Sequence, residues 1–378
     1  MVMPTPWVTY ALIAFLGVIF VIEMALGSAA TPTLAHMGAN IVARTRAGEI
    51  DRLLAASTLH VAPWHALMNL YVLYALGRQM EPLFGHRRFA VLYFASAIGG
   101  GIGTTLLGGV GASAGASGAI WGLLGASAVL AFRPPSHWSP QMVQAARRGA
   151  MINLLINVGI SFMPGIDRWA HFGGGVVGAL LVLLGILTPP RWLAAKGQTE
   201  TPAHATSLSI VAVILMLLTL VSVGVAWERG RPWALMDPPV LTRRTLVAEG
   251  ISIEIPEELG ESSAAARTYG DLGIDRFAVQ LMGVDTNHGP TPEIEAAQIA
   301  SELGSREPTD AASMGPSVRV DLPSGPAAMR TYRVGEGLVL VRIIVVGPER
   351  TAALDVLGWG AYGDIPELAR NVAGSIAW

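Results

Sequence analysis

Seven mostly apolar stretches, near residues 7–27, 60–80, 88–108, 115–133, 149–164, 169–188 and 207–227, approach or reach the roughly 20 residues that a helix needs to cross hydrocarbon. No other feature constrains the fold as strongly. Inside a bilayer every backbone polar group must be paired within the protein, so such stretches become helices. The first begins almost at the N-terminus without a basic leader or a small-residue cleavage site, and reads as a retained span. Stretches four to six are interrupted by Gly, Ser, Asn and His, and polar groups at that depth need a reason.

Composition splits the chain at Trp227. Residues 1–227 hold 12 Lys and Arg against 6 Asp and Glu, while residues 228–378 hold 13 against 21. A sparsely charged membrane half is thus joined to an acidic soluble half. Charged residues make up 14% of the whole, well under the roughly 25% of an ordinary soluble domain. Neither half has the strongly basic face of a nucleic-acid binder. With no cysteine, disulfides, thiolate nucleophiles and Cys-bound metals are excluded, and covalent chemistry falls to oxygen or nitrogen.

Basic residues in short loops set orientation. With the N-terminus cytoplasmic, the inner loops hold Arg78, Arg87, Arg88, Arg133, Arg147, Arg148, Arg191 and Lys196, and the outer loops only Arg44, Arg46, Arg52 and Arg168. The N-terminus is therefore expected inside. Arg229, Arg231, Arg243 and Arg244 argue weakly the other way, but a folded domain translocates regardless of such charges. Seven spans then put the C-terminal domain outside.

The polar residues within the spans fall into three groups. LHVAPWHALMN places His65 and Asn69 on one helix face, just after His60. Their plain role is polar glue between helices; a zinc site is poorly supported, since no H-E-x-x-H pair or nearby acidic base exists. SAGASGAIWGLLGAS carries Gly115, Ser117, Gly118, Trp121, Gly122 and Gly125. RWAHFGGGVVG carries His171, Gly174 and Gly178. A Ser in a Gly-rich helix is commonly a packing residue. Two small-residue stripes nevertheless let two backbones approach, which would bring Ser117 and His171 together. Neutral imidazole can activate a serine hydroxyl, and His65, Asn69 and the Ser117 amide could donate to an oxyanion. No acid stands beside His171; Asp167 is four residues earlier. A Ser/His dyad is the simpler arrangement.

These segments carry a family resemblance. GEIDRLL, LHVAPWHALMN, LGRQMEPLFGHRRF, GASGAIWG and AHFGGGVVG stand in the order and at the approximate spacing of the rhomboid intramembrane serine proteases, over most of residues 7–227. The resemblance implies Ser117 as nucleophile, His171 as general base and His65 and Asn69 as oxyanion donors. It also implies Trp121 packed on the catalytic imidazole, with Gly115, Gly118 and Gly174 in support. Arg52 matches the arginine of the first external loop, while Asp51 stands where the family often has Trp. The implied activity is cleavage of single-pass transmembrane substrates in the lipid bilayer, without metal or cofactor, on the outer side of a bacterial-type plasma membrane.

The expected architecture is an all-α membrane bundle, with a six-helix core over 1–188, a linker at 189–206 and a seventh helix at 207–227. A second linker at 228–245 leads to a soluble α+β domain over 246–378. In that domain ISIEI, RFAVQLMGV, SVRVDL, AMRTYRV, LVLVRIIVV and TAALDVLGW read as strands, and 292–303 and 364–377 as helices. The ordering is vaguely similar to the Mog1/PsbP-like fold, and His288 sits in a loop sequence, DTNHGPTP. Two other readings compete. A catalytically silent rhomboid-like helix-binding or quality-control protein is expected to lack the Ser or the His, and both are present. A transporter predicts internal repeats and buried acids; no repeat is visible, and Glu23 and Glu81 are the only acids in or at spans.

Overall fold

The computed structural model describes residues 5–27, 31–108, 112–134, 138–189, 201–246, 250–261, 267–270, 275–285, 311–334 and 337–378. The chain forms two compact units, Met1–Pro232 and Trp233–Trp378. His288, the expected helix 292–303 and most of the expected linker 189–206 lie outside the described residues.

The first unit is helical. Its long helices are α1 (Trp7–Ala25), α5 (Pro63–Phe84), α6 (His86–Leu107), α7 (Ser117–Phe132), α8 (Pro140–Ser161), α9 (Arg168–Leu183) and α10 (Pro202–Gly230). Three short helices, α2 (Thr31–Met37), α3 (Val42–Arg46) and α4 (Arg52–Ala55), fill the connection from α1 to α5. Among the described residues, α1, α6 and α10 are long and apolar enough to cross a membrane by length and composition. The apolar helices α7 and α9 have 16 residues each, about 24 Å at 1.5 Å per residue, while α5 and α8 carry polar ends that dilute their apolar runs. Such ends also hid the true extent of α8 and α10: Ser139 caps Met142 and Thr201 caps His204 through their hydroxyls, each ahead of a first-turn proline. The seventh helix therefore takes in residues 202–206, which the sequence assigns to a linker.

Polarity in this unit is inverted relative to a soluble protein. Val18, Val21, Leu67, Leu155, Ile156, Leu217 and Val221 are exposed, whereas Glu23, Glu81, Arg52 and Arg88 are buried. An apolar exterior of that kind suits lipid. The buried acids are satisfied. Glu81, on α5, accepts the amides of Val8 and Thr9 at 2.9 and 2.7 Å and the Thr9 hydroxyl at 2.6 Å, so a carboxylate from one helix fills the amide-rich start of another. Glu23 accepts the His60 amide at 3.1 Å.

The second unit is built on an antiparallel sheet in the order β5-β6-β11-β10-β9-β7, with β8 also paired to β9, and a separate pair β3-β4. The strands are β3 (Leu241–Leu246), β4 (Ile251–Pro256), β5 (Thr268–Tyr269), β6 (Phe277–Asp285), β7 (Ala311–Ser313), β8 (Val318–Leu322), β9 (Gly325–Val334), β10 (Leu338–Val346) and β11 (Thr351–Trp359). The amphipathic helix α11 (Ile365–Gly374) buries Leu368, Ala369, Val372 and Ala373. Arg342 and Asp355 face each other across β10 and β11 in a two-pronged ion pair, both contacts at 2.7 Å. The Asp355 hydrogen bonds push the guanidinium above its ordinary value, against its burial. The expectation of a linker over 228–245 is corrected at its end. Residues 241–246 form β3 against β4; LTRRTL is half-exposed and lacks the apolar alternation that announces a strand.

Candidate active site

Ser117 opens α7. The first amides of a helix lack intrahelical partners, so the Ser117 N–H points away from the helix body beside its own hydroxyl. The approach to this start is fixed. Gly115 donates its amide to the Ala56 carbonyl at 3.0 Å, and the strand pair β1 (Asn40–Ile41) and β2 (Ala112–Ser113) ties the preceding residues to the α2–α3 loop. Gly115 adopts φ 150°, and a Cβ there would lie 2.8 Å from the His65 ring and 3.6 Å from Ser117 Oγ. Only glycine leaves that space open between the imidazole and the hydroxyl.

His171 lies in the first turn of α9, whose start is capped by Asp167: one carboxylate oxygen accepts the amides of Trp169 and Ala170 at 3.0 Å each, and the other accepts the Thr104 hydroxyl at 2.5 Å. The buried His171 ring stacks on Trp121 with centroids 5.4 Å apart and planes at 21°. Trp121 is one turn beyond Ser117, so the stack places the imidazole along the face of α7 that begins with the serine. No hydrogen bond joins Ser117 to His171 among the described residues; the Nδ1 of His171 instead meets Ser161 Oγ at 2.6 Å.

The helices meet through bare backbone. A Cβ on Gly118 would lie 3.3 Å from the Ala170 carbonyl, and one on Gly174 or Gly178 would run into the carbonyls of Gly118 or Gly122. The seam has a third member that the sequence reading overlooked. Gly99, Gly100 and Gly103 of α6 leave equally little room against Gly173, Ala170 and Trp169. The run AIGGGIG was the signal for it.

The expected oxyanion donors are partly committed. Asn69 is buried, and its amide donates to the His65 carbonyl one turn earlier at 2.9 Å, which leaves the second amide hydrogen. His65 stands edge-on to His60 at 5.5 Å, and its Nδ1 has no hydrogen-bond partner among the described residues. Arg52 is buried by α4 and donates to the carbonyls of Ala35 and Ala39 at 2.8 and 2.7 Å, and to Glu49. Burial draws its pKa down while Glu49 draws it up. Asp51 pairs with Arg229 at 2.5 Å, so the acid in place of the family's usual aromatic has a partner on α10. Among the described residues no cluster of three potential metal ligands exists.

Comparison with known proteins places the similarity in the helical part of the chain. Residues 47–188 match the family model described as the Rhomboid domain. RHOMBOID-like protein 4 of Arabidopsis thaliana is 35% identical over 174 residues, covering 46% of this chain and 44% of that protein. Rhomboid protease GluP of Bacillus subtilis (strain 168) is 33% identical over 175 residues, 46% of this chain and 34% of its own length. Inactive RHOMBOID-like protein 8 of Arabidopsis thaliana is 34% identical over 152 residues, 39% and 42% of the two chains. The chain thus spans about half or less of the length of these relatives. The matches support the rhomboid family and, with the apolar helices, a multi-pass membrane protein. A solution structure of cyanobacterial PsbP from Synechocystis sp. PCC 6803 is similar to 37% of this chain and 94% of its own length, at 13% identity and a TM-score of 0.27.

Proposed function

We propose that this chain is an intramembrane serine endopeptidase, with six helices forming the catalytic core and α10 a seventh span. The observation that carries the reading is the His171–Trp121 stack one turn from Ser117, with the glycine contacts that press the starts of α7 and α9 together. Ser117 Oγ attacks the scissile carbonyl carbon while its proton passes to His171 Nε2, and the carbonyl electron pair moves onto oxygen. The Ser117 amide, His65 and Asn69 donate to that oxyanion. As the C–N bond breaks, the leaving nitrogen takes the proton from His171. A water then gives a proton to His171 and attacks the acyl carbonyl carbon; as the ester C–O bond breaks, His171 returns that proton to Ser117 Oγ and the free acid leaves. A helical peptide must unwind before its carbonyl is reachable, so single-pass substrates with Gly, Ser or Pro near the outer end of the span are favoured.

In this reading the N-terminus is cytoplasmic in a bacterial inner membrane, with Ser117 and residues 246–378 on the outer side. The charge bias of the loops supports it. Fluorophosphonate labelling of the chain in detergent, with cleavage of a transmembrane reference substrate, tests the activity. Ser117→Ala and His171→Ala are expected to lose both while keeping the fold. A wild-type chain that neither labels nor cleaves would instead point to a silent helix-binding relative, and more than a few per cent of activity in Ser117→Ala would remove the nucleophile.

A further inference from the structure

A serine–imidazole pair without a carboxylate leaves two tasks open: fixing which ring nitrogen carries the proton, and accommodating the cation formed when the ring takes the serine proton. Asp167, the nearest acid in sequence, is spent on the start of α9 and on Thr104. What meets the ring is a hydroxyl. Ser161 Oγ lies 2.6 Å from His171 Nδ1 and 2.8 Å from the Asn157 carbonyl. A carbonyl only accepts, so the hydroxyl hydrogen goes to Asn157 and an oxygen lone pair is left for Nδ1. Nδ1 then carries hydrogen, and Nε2 is bare and able to take a proton.

Two further facts single out this serine. Among the 22 residues of α8, Ser161 alone is buried, at 1% exposure, so the only side chain this helix hides is the one on the imidazole. Ser161 is also the last residue of α8, at the negative end of the helix dipole, a position that favours a cation. Phe162, next in the chain, packs against Phe172 at 6.0 Å, which steadies the junction beside His171.

We infer that Ser161 is a positioning residue for His171: it selects the Nδ1–H tautomer and brings the negative end of α8 to the imidazolium, as a carboxylate would. It exchanges no proton itself. The inference rests on reading Ser117 and His171 as the dyad. It is tested in the full-length chain in detergent by comparing wild type, Ser161→Ala and Ser161→Thr for kcat and KM on a cleaved transmembrane substrate. Nitrogen-15 spectra of labelled histidine, with the His171 signal assigned by its loss in His171→Ala, report the tautomer.

Wild type is expected to show Nδ1–H with bare Nε2. Ser161→Ala is expected to lose kcat by roughly 10- to 100-fold, the range seen when the partner that orients a metal-bound histidine is removed, with KM unchanged and a mixture of tautomers. Ser161→Thr, which keeps the hydroxyl, is expected to recover most of the rate. Unchanged kcat in Ser161→Ala, or a wild-type proton on Nε2, overturns the inference while an active wild type leaves the dyad standing. If Ser161→Ala does not fold, the wild-type tautomer and the Thr variant decide the matter. A wild type that neither cleaves nor labels instead fells the dyad, and this inference with it.

Discussion

His65 and Asn69 sit one turn apart on α5 and differ in how free they are. Asn69 has one hydrogen engaged with its own helix, whereas His65 borders the open space at Gly115. Losing one oxyanion donor typically costs about 100- to 1,000-fold in turnover. His65→Ala is expected to fall in that range and Asn69→Ala below it, with the double variant worse than either; wild-type turnover in the double variant would reduce both to helix glue. Acidity is a second probe. His171 accepts a proton only when neutral, and an ordinary imidazole titrates near about 6.5. Cleavage should therefore decline as pH falls, and a flat profile with chemistry rate-limiting would argue against His171 as base. Residues of this kind are legible in sequence when small neighbours announce a close approach, as in GASGAIWG and AHFGGGVVG. Ser161 gives no such notice. It is a serine in an otherwise exposed or half-buried helix, and its meaning arises only when the α8–α9 turn brings it back onto a ring ten residues later.

The elements hold one another by different means in the two units. In the membrane unit the seam of α6, α7 and α9 is glycine against backbone, with no slack for a methyl group. Gly174→Val would drive carbon into the Gly118 carbonyl. Overpacking of that kind costs about 1–3 kcal/mol, and it should lower the melting midpoint in detergent and reduce cleavage; unchanged melting would mean the seam is looser than the structure indicates. In the second unit the Arg342–Asp355 pair is 16% and 7% exposed. Asp355→Ala takes both of the pair's charge-assisted contacts from a largely buried guanidinium, so it should markedly weaken that unit's resistance to urea. Strands β6, β10 and β11 were legible because their apolar runs are dense. The edge strands β5 and β7, of two and three residues, are too short for any period to register. For α8 and α10, hydropathy found the middle and missed the start, since the caps are Ser139 and Thr201, each ahead of a proline.

At the scale of the whole molecule, every group named in the proposed chemistry precedes residue 172, so the second unit supplies none of them. Deleting residues 240–378 is expected to leave turnover of a short transmembrane peptide roughly unchanged and to weaken processing of full-length substrates; equal loss on both would assign the unit a structural role. The seventh helix is a different matter. Arg229 reaches Asp51 and Glu49, and His36 donates its Nδ1–H to the Gly230 carbonyl at 2.5 Å. The ion pairs are partly exposed and worth under about 1 kcal/mol each, so Arg229→Ala should be mild. Gly230→Val, which would strike the His36 backbone, should be severe in both melting and cleavage.

That end of α10 also sets a clock. Its contacts span 178 and 194 residues of chain, so the segment above the α7 start receives its last brace only after residue 230 has been made. During synthesis Ser117 and His171, the proposed nucleophile and base, both exist some sixty residues before that brace. A nascent chain therefore carries the proposed dyad ahead of its frame, and synthesis of Arg229 and Gly230 marks the point at which that frame can close.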